Sequence, residues 1–284
     1  AQIGGLEQTK RDIKFAYGLT MAQLPAGVKM EAWRNIMFYG PPGTGKTLLA
    51  GATSNGLDAT FFNVKVSSVM SKWFGESTKI ISELYDCARQ MHPSVVFFDE
   101  FESITKARGG GSDSGTERRI LSTILAELDG LAEGNETASQ YVMTIAATNA
   151  PGDVDKAVLS RFQKRVFIPL PDHAARKQIL KIHLEDQKIL CDIDSNKLAD
   201  MMRMYSGREI SSMCKIAISA MIEEKNRGIP ELVDKGRDAI SGYRMQIRAL
   251  SEKDFAKVMR ELPPGTPEKP DKPFEQWVTN VPKD

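Results

Sequence analysis

Residues 38–50, FYGPPGTGKTLLA, pass from apolar residues through glycine and proline into a run of helix formers. Gly40, Gly45, Lys46 and Thr47 satisfy the spacing G-x-x-x-x-G-K-[ST], in which small residues let successive backbone N–H groups converge on phosphate oxygens. Pro42, Gly43, Thr44 and Gly45 form the cradle. Lys46, Thr47 and Leu48 open the following helix, whose positive N-terminal end favours an anion. Lys46 adds a point charge for the β- and γ-phosphates, and the Thr47 hydroxyl suits a position on Mg²⁺. The competing reading is a Gly-rich strand-to-helix turn that binds nothing. A second stretch, VVFFDE at 95–100, ends an apolar run in two carboxylates. At the C-terminal edge of a parallel sheet, where ligands gather, Asp99 is expected to hold Mg²⁺ through water. Glu100 is expected to polarise a water for in-line attack on the γ-phosphate. Against this stands a strand-end pair that merely caps the next helix.

These residues need a sheet whose strands end together. Short apolar runs at Asn35–Tyr39, Thr60–Lys65, Ser94–Asp99, Tyr141–Thr148 and Arg165–Pro169 read as five strands. Between them Thr47–Asn55, Ser77–Met91 and Glu117–Leu128 carry apolar residues at three- and four-residue steps, as crossover helices do. The expected class is α/β, a five-stranded parallel P-loop NTPase sheet between helices. After PLPD at 169–172 the pattern becomes all-helical, over 173–185, 195–204, 208–227 and 252–261. The division expected is therefore 1–171 for the nucleotide-binding unit, 172–262 for a helical lid, and 263–284 for a Pro-rich linker with a C-terminal helical segment.

Composition narrows the function classes. The 284 residues carry a formal net charge of +1, which gives no bulk reason to expect nucleic acid. No apolar run reaches the ~20 residues of a membrane-spanning helix. The three cysteines, Cys87, Cys191 and Cys214, are scattered and point to a reducing, cytoplasmic setting. Neither they nor His92, His173 and His183 have the spacing of a zinc site. A chain that begins at Ala1 without an initiator Met reads as part of something longer.

The order GPPGTGKT at 40–47, FFDEFESI at 97–104 and IAATNAPGDVDKAVLSRFQKRVFIPLPD at 145–172 resembles the AAA ATPases. IPLPD and Trp277 point to the meiotic clade, with katanin, spastin, fidgetin and the ESCRT-III-disassembling ATPases. The resemblance implies ATP and Mg²⁺ as cofactors and a homohexamer with shared sites. It implies that Asn149 contacts the γ-phosphate or orients the attacking water, and that Arg161 acts in the neighbouring subunit. Ile3, Gly4 and Gly207 fall where the family lines the adenine pocket. One departure stands out: members of this branch carry two or three consecutive arginines where this chain has Leu159, Ser160 and Arg161, so at least one arginine finger is missing. Another is Phe101 and Glu102 in DEFES, where DEID is usual; Phe101 is expected to stay in the core and Glu102 to keep a carboxylate.

SKWFGES at 71–77 places Lys72, Trp73 and Phe74 in a polar, Gly-bounded loop, where sequence neighbours cannot both face one interior. In the family this loop grips a polypeptide in a central pore. A Trp folded back on its own domain and base stacking on single strands stay open. A second pore loop is expected at 106–117, followed by Arg118 and Arg119 as relays to the next subunit. Phe274–Val278 reads either as an anchored helical turn or as a disordered tail. The short stretch between Cys214 and Ser251 leaves no room for the β-domain insertion of the ESCRT-III-disassembling enzymes, which favours katanin- or spastin-like microtubule severing, with tubulin tails as substrate and a cytoskeleton-associated location. An ESCRT-III-type or membrane-protein remodelling ATPase, and a poorly hydrolysing nucleotide-dependent assembly module, are the alternatives.

Overall fold

The computed structural model describes residues 7–21, 33–66, 77–105, 115–132 and 141–265. The expected sites at Ile3 and Gly4, at Lys72, Trp73 and Phe74, in the loop 106–114 and in the tail 274–278 lie outside the described residues. The chain divides into two compact units after Pro169.

The first unit runs α1 (Glu7–Met21), β1 (Asn35–Tyr39), α2 (Lys46–Gly56), β2 (Thr60–Lys65), α3 (Ser77–Gln90), β3 (Ser94–Asp99), α4 (Glu102–Thr105), α5 (Gly115–Ala132), β4 (Val142–Thr148), α6 (Lys156–Leu159) and β5 (Lys164–Phe167). The strands form one sheet in the order β2-β3-β4-β1-β5, and every pairing is parallel. β1 and β4 are buried along their whole length, as strands covered on both faces must be. Alternation along them divides the core. Met37, Val96, Phe98, Val142 and Ala146 meet Ile81, Tyr85, Ile120 and Ile124 of α3 and α5 on one face. Ile36, Phe38, Val95, Phe97 and Ile145 meet Ile13, Leu49 and Ala50 of α1 and α2 on the other. A polar bond deep in the first face, between the Tyr85 and Thr144 hydroxyls at 2.9 Å, satisfies both groups.

The second unit is helical: α7 (His173–His183), α8 (Ser195–Met201), α9 (Gly207–Lys225), α10 (Ile229–Asp234), α11 (Arg237–Ser241) and α12 (Glu252–Glu261). Four of these surround a core of Leu180, Leu198, Ile210, Met213, Cys214, Phe255 and Val258. Their starts are fixed by side chains: Asp172 accepts from the Ala175 amide at 2.7 Å, and Ser206 and Glu209 form a reciprocal capping box. Helices α10 and α11 form a surface excursion closed at its base by Asn226. That side chain, 3% exposed, donates to the carbonyls of Ile222 and Gln246 and accepts from the Gln246 amide and the Tyr243 hydroxyl.

Candidate nucleotide site

β1, β3 and β4 end level with one another, since Tyr39 pairs with Thr148 and Phe98 with Ala146. The three loops that follow therefore open on one edge. The loop after β1 turns through positive φ at Gly40 (149°), Gly43 (76°) and Gly45 (96°). A Cβ at Gly40 would stand 2.2 Å from the Ile168 carbonyl oxygen, so glycine alone fits there. At Gly45 a Cβ would meet nothing within 4 Å, so there it is the φ of 96°, and not crowding, that favours glycine. Gly45 caps α2 without a side-chain hydrogen bond, leaving the first amides of that helix to point at a ligand. Lys46, 6% exposed, donates its ammonium to the carbonyls of Gly40 and Pro41 at 2.8 Å each. Thr44 ties back to the Pro41 carbonyl, and Leu48 is 61% exposed beside the loop. Burial pushes the neighbouring Tyr39 hydroxyl up to about 12, with Arg165 pulling the other way.

Thr47 Oγ1 donates to Asp99 Oδ2 at 2.9 Å, bridging the first and second loops. One hydroxyl and one carboxylate, both hard oxygens, fit Mg²⁺, which takes its remaining partners from phosphates and water. Among the described residues there is no group of three or more His, Cys, Asp or Glu side chains that could hold a metal. Glu100 follows in a left-handed conformation (φ 55°), its amide bonded to Asp99 Oδ1 at 3.0 Å. Its carboxylate pairs with Lys65 at 3.6 Å. Asn149 lies just past β4, and its amide donates to Glu102 Oε1 at 3.4 Å. Phe101 is fully buried, as expected, and rests edge-on against Phe162.

Lys46, Thr47, Asp99, Glu100 and Asn149 thus share one edge. Arg161 stands apart from it. Its Nε lies 3.0 and 3.3 Å from the two Asp129 oxygens, its Nη2 3.2 Å from Asp129, and its Nη1 2.8 Å from the Ala157 carbonyl. Asn35 reinforces this corner by donating to the carbonyls of Leu128 and Arg161. Leu159 is buried and Ser160 exposed. Gly207 opens α9 in the second unit, directly after its capping Ser206. Lys65, Asp129 and Asn35 were not singled out from the sequence. A charged residue closing the apolar TFFNV run could have marked Lys65, whereas nothing local marks the other two.

A parallel sheet in this order, with a glycine-lined phosphate loop after β1 and an acidic pair after β3, defines a P-loop nucleotide-binding domain. Residues 36–170 match the model of the ATPase family associated with various cellular activities, AAA, and form an AAA domain. It is 39% identical over 233 residues to the katanin p60 ATPase-containing subunit A1 of Strongylocentrotus purpuratus, covering 81% of this chain and 45% of that protein. To the katanin p60 ATPase-containing subunit A1 of Arabidopsis thaliana it is 33% identical, over 98% of this chain and 53% of that one. The crystal structure of the FIGL-1 AAA domain in complex with ADP superposes with a TM-score of 0.78 at 29% identity, over 100% of this chain and 91% of that one. The chain spans about half the length of the curated relatives it matches.

Proposed function

We propose that this chain hydrolyses ATP at sites shared between like subunits of a hexameric ring and spends the cycle on pulling a polypeptide. Microtubule severing is the favoured work, with tubulin tails as the substrate and a cytoplasmic, cytoskeleton-associated location. The katanin relatives support the substrate class. The observation that carries the chemistry is the convergence of Lys46, Thr47, Asp99, Glu100 and Asn149 on one sheet edge. In this reading the P-loop amides, Lys46 and Leu48 serve the phosphate end of the nucleotide, and Ile3, Gly4 and Gly207 are the positions that the family uses for adenine. Thr47 and Asp99 hold Mg²⁺, which supplies charge neutralisation on the phosphates. Glu100 orients a water and receives its proton, which requires that carboxylate to turn from Lys65. Asn149 offers its side-chain amide to the γ-phosphate or to that water. Arg161 completes a neighbour's site by exchanging Asp129 for phosphate. Lys72, Trp73 and Phe74 grip the substrate. No described helix is long and apolar enough to cross a membrane, so recruitment to one is not part of the proposal.

A second reading, a nucleotide-binding assembly module with slow turnover, is favoured by the state of the arginine segment: Leu159 is buried and Arg161 is held within its own chain. ATPase rate per subunit against protein concentration separates the two. A motor shows specific activity that rises with concentration, and Glu100→Gln retains ATP binding while stopping turnover. Undiminished hydrolysis in Glu100→Gln removes Glu100 from its role, and a rate near zero at every concentration with ATP still bound selects the assembly module.

A further inference from the structure

Three carboxylates lie within four residues of the turn after β3, and each has a different partner. Asp99 accepts from Thr47, Glu100 pairs with Lys65, and Glu102 accepts from the backbone amide of Asn149. Glu102 differs from the other two in burial: it is 9% exposed, although it opens the one-turn helix α4. Ionised groups rarely go so deep without a task that repays their desolvation. We propose that Glu102 is a positioning residue for the hydrolytic site, setting where the Asn149 side chain stands relative to Glu100. The proposal rests on the roles given above to Glu100 and Asn149.

The connections around the turn support this. Asn149 is the first residue beyond β4, and its amide donates to Glu102 Oε1 at 3.4 Å. The Phe101 amide donates to the Ala147 carbonyl at 2.9 Å, so backbone and side chain of consecutive residues both reach across to the end of β4. On its other side the turn is closed by the Ser103 amide on the Glu100 carbonyl at 2.9 Å. Phe101, fully buried against Phe98 and Phe162, stops the turn from sliding along the sheet. Glu100 and Asn149 are thereby carried on one framework, with Glu102 as the side chain that spans from the first to the second. A carboxylate bond to a backbone N–H is charge-assisted and directional, and it constrains the angle as well as the distance.

The test is a pair of variants in the full chain, each measured for ATP binding, steady-state hydrolysis and amide exchange at Asn149. Glu102→Ala is expected to leave the dissociation constant for ATP within about twofold and to lower kcat by roughly 10- to 100-fold, the loss that follows an ångström-scale misplacement of a reacting group. Exchange at the Asn149 amide should accelerate in the same variant. Glu102→Gln keeps an acceptor oxygen at the same reach and is expected to restore both readouts. An unchanged kcat in Glu102→Ala overturns the proposal. So does a parallel loss of ATP binding, kcat and melting temperature in the alanine and glutamine variants alike, which is the mark of a fold role only. The failure of the underlying reading looks different: Glu100→Gln would then still hydrolyse ATP, while Asn149 exchange would continue to report on Glu102.

Discussion

Replacing Arg161 with alanine should have two separable effects. The ion pair with Asp129 is 32% exposed on the arginine side and 45% on the aspartate side, so water screens it and its contribution is about 0.2–1 kcal/mol. The bond from Nη1 to the Ala157 carbonyl, at 2.8 Å, adds about 1 kcal/mol. Arg161→Ala should therefore destabilise the first unit by about 1–2 kcal/mol, a fall of roughly 2–8 °C in melting temperature for a unit of this size. Asp129→Asn should cost less, and a double-mutant cycle should return a coupling below about 1 kcal/mol. The catalytic effect is read by mixing. Arg161→Ala and Glu100→Gln chains should each be inactive alone. If Arg161 works in a neighbour's site, their mixture regains activity at interfaces where an intact Glu100 faces an intact Arg161. A mixture that stays silent, from variants that still assemble, refutes the trans role and leaves Arg161 as a tie between α5 and α6 of its own chain. A coupling well above the stated range would refute the screening argument instead.

Three other expectations follow from the geometry. Gly40→Ala must place its Cβ against the Ile168 carbonyl at a left-handed φ and should lose about 3 kcal/mol or more, whereas Gly51→Ala, in the middle of α2 with open space around it, should gain about 0.5–1 kcal/mol by urea unfolding. Lys46→Met should abolish ATP binding in a filter or fluorescence assay and also lower the melting temperature, because it takes the ammonium away from the buried carbonyls of Gly40 and Pro41. In the second unit, Arg248 beside Asp254, with help from Ser251, holds the Asp254 carboxyl well below the usual carboxylate range. A depressed native value means stability that is complete above an ordinary carboxylate pKa of about 4 and is lost as pH falls through the native one. Between about pH 5 and pH 2 the native chain should therefore lose urea resistance more steeply than Arg248→Met; equal slopes would remove the pair from the acid response.

Much of the sheet was legible because a strand buried on both faces writes a continuous apolar run. β1, β2 and β3 begin and end where the sequence places them, and β4 differs by one residue. β5 is displaced: it spans Lys164–Phe167 instead of Arg165–Pro169, because Ile168 and Pro169 already leave the sheet after the Ile168 amide bonds the Tyr39 carbonyl. Helix α1 was missed. Among its described side chains Ile13 and Ala16 are the buried apolar ones, a stripe too sparse to stand out as a period. Helices α10 and α11 were missed because Pro230, Gly236 and Gly242 punctuate them like loop residues, and α10 buries no side chain. At the site, spacing brought out the residues proposed to hold phosphate, whose arrangement is local. It could not find what holds those groups, since Asp129 is 32 residues from Arg161 and Glu102 reaches Asn149 across 47.

The Asn226 clasp has a consequence for engineering. Because one buried side chain takes the chain in at Ile222 and receives it back at Tyr243 and Gln246, everything threaded between those points is a cartridge whose length the helical core does not sense. Gly236 marks its seam, with φ 99° and no atom within 4 Å of where a Cβ would stand. A fluorescent or affinity module spliced there would ride on each subunit as a reporter, and Asn226 would keep the socket closed beneath it.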